Sequence, residues 1–518
     1  MEKASQIHQD HLVSVVGITA AASLIYSCYY LYSSYDRCRN AKFFKEIPTP
    51  KSHFPYLGHM LALSETPSVQ INQWHDELGP IIKLRMGRRT WVMVNDPLLA
   101  YKIFVNNSAL TSYRPKTVYG FGHYGMQGKG VVFAQPNIGH RKNRAAALSL
   151  LAPKQIANFA ANIKEESANL VTRLLETTEK EGSVDPLKDL QFSALNVILD
   201  AVFGKRFTSV DDDEFCKLLT IEKLSMKYAN LQNDLPYFLP IISFFGKYFG
   251  RQSMWNKFMT KERNPTYRKL ITQAMLSETP NFIKDLEENG FAMTIDEKTV
   301  FVSDMLTGGT DTIPTVLSWN FVIMCRHPET QKKTAAEIDT FVSKYGRLPT
   351  FEERLEVPFC VSVIKECMRY KPATYFGLPH TLHQDKATVE VDGYLIKKDT
   401  AILTSMHSMH LNSNYFTDPE KFIPDRFINN LRTMQACANG RIEERDHYNF
   451  GWGRRICPGI SLAESEIFTA FIQVYSTCFI EPADKSTMPD IETLKCSGLT
   501  ILPRPQKLRF LRRDANLV

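Results

Sequence analysis

Phe450-Gly451-Trp452-Gly453-Arg454-Arg455-Ile456-Cys457-Pro458-Gly459 is the stretch whose reading decides the fold. Gly453 and Gly459 permit a tight turn and let the backbone approach a flat group closely. Cys457 stands where a helix begins after Pro458, so exposed N–H groups there stabilise a thiolate and lower its pKa. Phe450 can shield the sulfur from water, and Arg455 can pair with a carboxylate of a bound group. These are the residue types that a thiolate ligand to a flat iron cofactor needs.

Upstream, a helix is predicted from the capping box Thr294-Ile295-Asp296-Glu297 to Cys325, ended by His327-Pro328. At 1.5 Å per residue it spans roughly 45 Å, the diameter of a large domain, which argues for a single core. Within it lies Gly308-Gly309-Thr310-Asp311-Thr312. The two glycines remove side chains and leave room for a group to approach the helix closely, and Thr312 can bond back to the Gly308 carbonyl. Pro314 lacks an N–H and frees the Thr310 carbonyl, so a kink is expected. Glu366 and Arg369 share a helix face at i,i+3, and Pro424-Asp425-Arg426-Phe427 follows before Cys457.

These four motifs, in this order, resemble the cytochrome P-450 superfamily. The resemblance implies a mainly α fold with small β-sheets (α+β) around haem b, with Cys457 as axial ligand to the iron. It implies that Thr312 and Asp311 deliver protons, and that Phe450, Gly453, Arg455, Gly459, Gly308 and Gly309 surround the haem. Arg144, His140 and His380 carry over as partners of the haem propionates, His140 replacing the usual Trp. A buried Glu366–Arg369–Arg426 network is expected to prop the cysteine loop. Pocket residues implied by analogy are Phe121, Tyr124, Phe301, Leu306, Phe376, Leu499 and Ile501, a mainly apolar set suited to a steroid or terpenoid, with a fatty acyl chain next.

Length alone would suggest about three or four domains, which the long helix argues against, and composition is that of an ordinary globular chain. The 518 residues are 44% hydrophobic and 23% charged, which excludes a collagen-like or disordered chain. The surplus of +7, 62 basic against 55 acidic residues, is too dilute for nucleic acid. The cysteines show no C-x-x-C spacing and read as free thiols. Leu12 to Tyr35 carries no ionised side chain and, at about 36 Å as a helix, can cross a bilayer. The basic flank after it puts the C-terminal side in the cytoplasm. The expected organisation is a tail at 1–11, a transmembrane anchor at 12–35, a basic and Pro-rich linker at 36–58, and a haem-thiolate catalytic domain at 59–518. The resemblance implies a single-pass protein of the endoplasmic reticulum membrane.

No segment resembles a flavin or nicotinamide domain, so electrons have to come from a separate protein. The resemblance suggests an NADPH-cytochrome reductase, with cytochrome b5 as a second donor, docking near Lys142, Arg454 and Arg455. Two other classes stay open on the sequence: a haem-thiolate isomerase or dehydratase without a reductase, and a non-catalytic haem-binding protein. Gly120-Phe121-Gly122-His123-Tyr124-Gly125 is a literal G-x-G-x-x-G, but no helix start or acid follows at the spacing a dinucleotide site needs. Residues 236–250 hold six aromatics, read as core or as a second membrane contact.

Overall fold

The computed structural model describes residues 44–51, 54–63, 66–230, 233–240, 250–386 and 388–513. The predicted anchor at 12–35 lies outside them, as does the basic flank before Phe44. No helix among the described residues is long and apolar enough to cross a membrane.

Helices dominate, and the labelled ones run α1 Ile138–Leu150, α2 Pro153–Glu181, α3 Leu187–Phe203, α4 Asp213–Ala229, α5 Asn264–Leu276, α6 Ile295–Arg326, α7 Pro328–Tyr345, α8 Pro358–Tyr370 and α9 Ile460–Thr477. Thr294 caps α6 as expected: its hydroxyl accepts from the Glu297 N–H while Glu297 reaches back to the Thr294 N–H. The helix continues through Pro314.

Two hydrophobic clusters form around α6. Val300, Phe301, Val302, Met305 and Leu306 pack into one cluster with α1, α3, α4 and α5. Ile313, Val316, Leu317, Trp319 and Phe321 pack into another with α2, α8 and α9. Thr307 to Thr312 belongs to neither cluster. Apolar side chains therefore bury α6 at both ends, and the glycine-bearing middle is left to line a cavity.

The sheets are small. The hairpin β1 Ile81–Met86 and β2 Arg89–Val94 is antiparallel, and β5 Thr400–Thr404 adds to β2 in parallel. β3 Thr388–Val391 and β4 Tyr394–Lys397 form a separate pair. The chain after α9 makes strands that the sequence reading did not assign: β6 Cys478–Pro482 with β9 Leu508–Arg512, and β7 Leu494–Ser497 with β8 Thr500–Pro503. Much of the predicted linker already joins the fold. The Pro48 carbonyl accepts from the Lys83 N–H at 2.7 Å, and Ile47 is buried. Of the aromatic run, Tyr237 and Phe238 are core, Phe238 meeting the Trp91 ring edge-on at 5.7 Å. Residues 241–249 of that run lie outside the described residues.

Candidate active site

The cysteine loop is shaped before it meets anything else. The Cys457 N–H donates to the Phe450 carbonyl at 2.9 Å, closing a turn that ends at α9. Gly453 sits at φ +56°, and a Cβ there would lie 2.0 Å from the Phe104 carbonyl oxygen. Gly453 therefore serves backbone packing within the protein, a different reason from the cofactor approach expected of it. Gly453→Ala is expected to cost more than about 2 kcal/mol, from the left-handed φ and the clash together; thermal unfolding measures it.

Cys457 faces an enclosed cavity of about 430 Å³. Phe450 and Gly459 line it beside the thiol. Burial pushes the Cys457 thiol up, and the Gly459 N–H and the Arg144 guanidinium oppose that. The helix-start effect is thus present but smaller than desolvation, so coordination to a metal has to complete the deprotonation.

One end of the cavity is cationic. Arg114, Arg144 and Arg455 all line it. Arg455 donates to the carbonyls of Ser112 at 2.9 Å, Val131 at 3.1 Å and Ala134 at 2.5 Å. Arg114 donates to Val132 at 3.1 Å, Leu378 at 3.0 Å and Pro379 at 2.9 Å, and Arg144 to Ile456 at 2.6 Å. No carboxylate pairs with any of the three among the described residues. Burial lowers the Arg114 pKa well below its usual value, and repulsion from Arg455 and Arg144 adds to that. Three guanidiniums, Arg114 and Arg455 buried and Arg144 half-buried, held by carbonyls and the His140 ring and by no carboxylate, form a site for an anionic group.

The two histidines divide. His380 lines the cavity, with its Nδ1 2.8 Å from the Thr111 carbonyl. His140 does not line it. Its Nε2 lies 2.6 Å from Arg455, and burial with the neighbouring arginines lowers it to about 3, so the neutral ring accepts from Arg455 and positions it. Arg114 was missed because Tyr113-Arg114-Pro115 carries no local pattern; only folding brings it to the other arginines.

On the opposite wall, Gly308, Gly309 and Thr312 line the cavity. A Cβ on Gly308 would meet nothing within 4 Å, and on Gly309 would touch only Ile198 at 3.5 Å. Thr312 donates to the Gly308 carbonyl at 2.7 Å, as expected. Asp311 does not reach the cavity. It turns toward β8 and α3, where Thr500 donates to its Oδ2 at 2.5 Å, and burial raises its pKa, opposed by Thr500, Lys223 and Gln191. Adjacent helix positions point about 100° apart, so a pair read as one relay faces two environments.

Tyr124, Phe376, Leu499 and Ile501 line the cavity, as expected. Phe121, Phe301 and Leu306 do not. Phe301 stacks on Phe282 at 6.2 Å, Leu306 is fully buried in the same core, and Phe121 lies against Gly128 under Lys116. Of the three predicted docking residues, Arg455 is buried, Lys142 pairs with Glu297 at 3.4 Å, and Arg454 is exposed.

Behind the loop, Glu366 and Arg369 are fully buried and joined at 2.7 and 2.8 Å, and Arg426 donates to Glu366 at 2.9 Å. Arg369 also donates to the His410 carbonyl at 3.1 Å, and the His410 Nε2 accepts from the Tyr448 N–H at 2.8 Å. Asn449 donates to the Met368 carbonyl at 2.8 Å. The network thus reaches the residues just before Phe450.

The family model described as Cytochrome P450 matches residues 48–510. The chain belongs to the cytochrome P450 family. It is 26% identical over 514 residues to the "Cytochrome P450 1A1" of Opsanus tau, covering 94% of each chain. To the "Cytochrome P450 monooxygenase virE" of Hypocrea virens it is 26% identical over 481 residues, 89% of this chain and 84% of the relative. The "Cytochrome P450 monooxygenase yanC" of Aspergillus niger is 25% identical over 501 residues, 91% and 90% of the two chains. The protein is a monooxygenase whose cofactor is thiolate-ligated haem b. The residues present fit that group: a thiol facing the cavity, a glycine wall opposite, and buried cations that lack a protein counter-ion.

Proposed function

We propose that this P450 is a membrane-anchored monooxygenase that oxidises a steroid- or terpenoid-like substrate with electrons from a separate NADPH-dependent reductase. The observation that carries the reading is the meeting of Cys457, three carboxylate-free arginines and the Gly308–Thr312 wall around one largely apolar cavity. The uncharged stretch 12–35 supports the anchor.

Cys457 would hold the iron, and Arg114, Arg144, Arg455 and His380 the two propionates. Bound there, the haem supplies reductive activation of dioxygen and insertion of one oxygen atom into a C–H bond. Phe450 and the packed loop keep water from the sulfur. Asp311, its pKa raised by burial and its carboxylate held by Thr500 away from the cavity, would act on proton delivery only from behind the helix wall, not at the cavity itself. Thr312 holds its proton at Oγ1 against the Gly308 carbonyl and releases it toward the cavity.

Thr312→Ala is expected to leave substrate binding intact while product per electron pair consumed falls by roughly 100-fold or more, the contribution of a positioned proton donor. Parallel assays of NADPH consumption and product formation check this. Turnover without reductase and NADPH would instead point to an isomerase or dehydratase.

A further inference from the structure

We propose that Thr307, held in place by Glu222, is the hydrogen-bond acceptor for a hydroxyl group on the substrate, so that the cavity takes an uncharged lipophilic alcohol. The inference deepens the monooxygenase reading and rests on it.

Between Met305 and Ile313 the residues of α6 with appreciable exposure are Thr307, Gly308, Gly309 and Thr312, and all four line the cavity. The surface of Thr307 therefore faces the substrate space and not solvent. Its hydroxyl donates to Glu222 Oε2 at 2.5 Å. Glu222 is 2% exposed on α4, and its other oxygen accepts from the Tyr267 hydroxyl. Thr307 Oγ1 already accepts a long contact from the Tyr124 hydroxyl at 3.5 Å, so with its proton directed to Glu222 its remaining lone pair is the one open to the cavity, which can be met by a donor and not by a ketone.

A second observation lies one turn further along α4. Ser225 is 0% exposed, lines the same cavity, and its hydroxyl has no partner among the described residues. A buried hydroxyl without a partner costs stability unless a ligand completes it. Ser225 thus adds a second unmatched polar group to the same cavity wall, which a substrate hydroxyl, being both donor and acceptor, can complete.

Charge selects against the competing lipid class. Asp304 lines the cavity with one carboxylate oxygen unpaired, and Glu222 stands behind Thr307. Burial raises Glu222 to about 7 and Asp304 to about 6, so this wall already resists negative charge, and a fatty-acid carboxylate placed beside it would add more in a low dielectric. The fully buried Arg263, bonded to Ser303 at 3.0 Å, offsets part of that acid charge, which leaves a neutral donor as the best match. Thr307 precedes Thr312 by five residues, about 7.5 Å along the helix axis. The oxidised carbon is thus expected several bonds away from the anchoring hydroxyl.

The test is spectral titration of the full-length haem protein in lipid vesicles with androstanol, androstanone and androstane, which share one ring skeleton. Wild type is expected to bind androstanol about tenfold more tightly than androstanone, one net hydrogen bond's worth. Thr307→Val should erase that preference, and Thr307→Ser, which restores the hydroxyl, should keep it. Equal affinity for alcohol and ketone in wild type, or a preference that survives Thr307→Val, overturns the proposal. So does silence toward all three probes in a protein that retains the carbon monoxide band. A missing band in wild type would instead strike the haem-thiolate reading beneath it.

Discussion

Cys457→Ser is expected to abolish the carbon monoxide band of the thiolate-ligated ferrous haem and to take turnover below detection. Serine is nearly the size of cysteine, so the turn closed by the Cys457 N–H and the Phe450 carbonyl should survive. What changes is the acid. Desolvation already raises the pKa of the cavity-facing thiol, and only the Gly459 N–H and Arg144 favour its ionised form. An alcohol is far harder to ionise, so the same two groups and the iron cannot make it a comparable ligand. Removing even an outer partner of a metal ligand costs roughly 10- to 100-fold, and loss of the ligand should exceed that. Reduced carbon monoxide difference spectra, with circular dichroism as a check on folding, measure the outcome. A surviving band would remove Cys457 from its assigned role.

The second large effect is expected at Glu366. Glu366→Ala leaves Arg369, itself fully buried, and the mostly buried Arg426 without their shared carboxylate. Uncompensated buried charge of this kind costs about 3–5 kcal/mol. The damage should extend to cofactor retention, because Arg369 reaches Tyr448 through His410, and Met368 holds Asn449. Thermal unfolding and haem content of the purified variant should therefore fall together. Glu366→Gln, which keeps the shape and one acceptor, is expected to fall between the two. Unchanged haem content in Glu366→Ala would separate this network from the cysteine loop.

Local chemistry was legible where the spacing of the chain alone dictates it. The capping box at Thr294, the Thr312–Gly308 bond and the Glu366–Arg369 pair are each made within one helix. Their partners are three or four residues apart, so helix geometry settles them before any packing. The hairpin β1–β2 was equally visible, because Gly87-Arg88 interrupts an apolar run. By contrast, β6 to β9 carry no comparable signal; β6 and β9 pack on α9 and α2, and β7 and β8 on α4 and α6, surfaces supplied from elsewhere in the chain.

The misplaced residues share one cause. Phe301 and Leu306 lie on the helix that lines the cavity, but on faces that pack against α3 and α5 or the segment around Phe282. Apolar character is the same on either face, so the sequence could not tell lining from core. Asp311 is separated from Thr312 by one residue of helix rotation, and Thr500, brought in by β8, captures its carboxylate. The cationic end shows the converse. Arg144 and Arg455 were found by motif, whereas Arg114 joins them through tertiary contacts, to Val132 and to Leu378 and Pro379, the last two more than two hundred residues away.

By itself the sequence determined the ligand, the order of the motifs, the long helix and the family's chemistry, because those depend on residue type and short spacing. Tertiary structure decided which side chains see the substrate. That choice depends on where two hydrophobic cores meet around α6 and leave Thr307, Gly308, Gly309 and Thr312 open, a long-range packing result that no local pattern encodes.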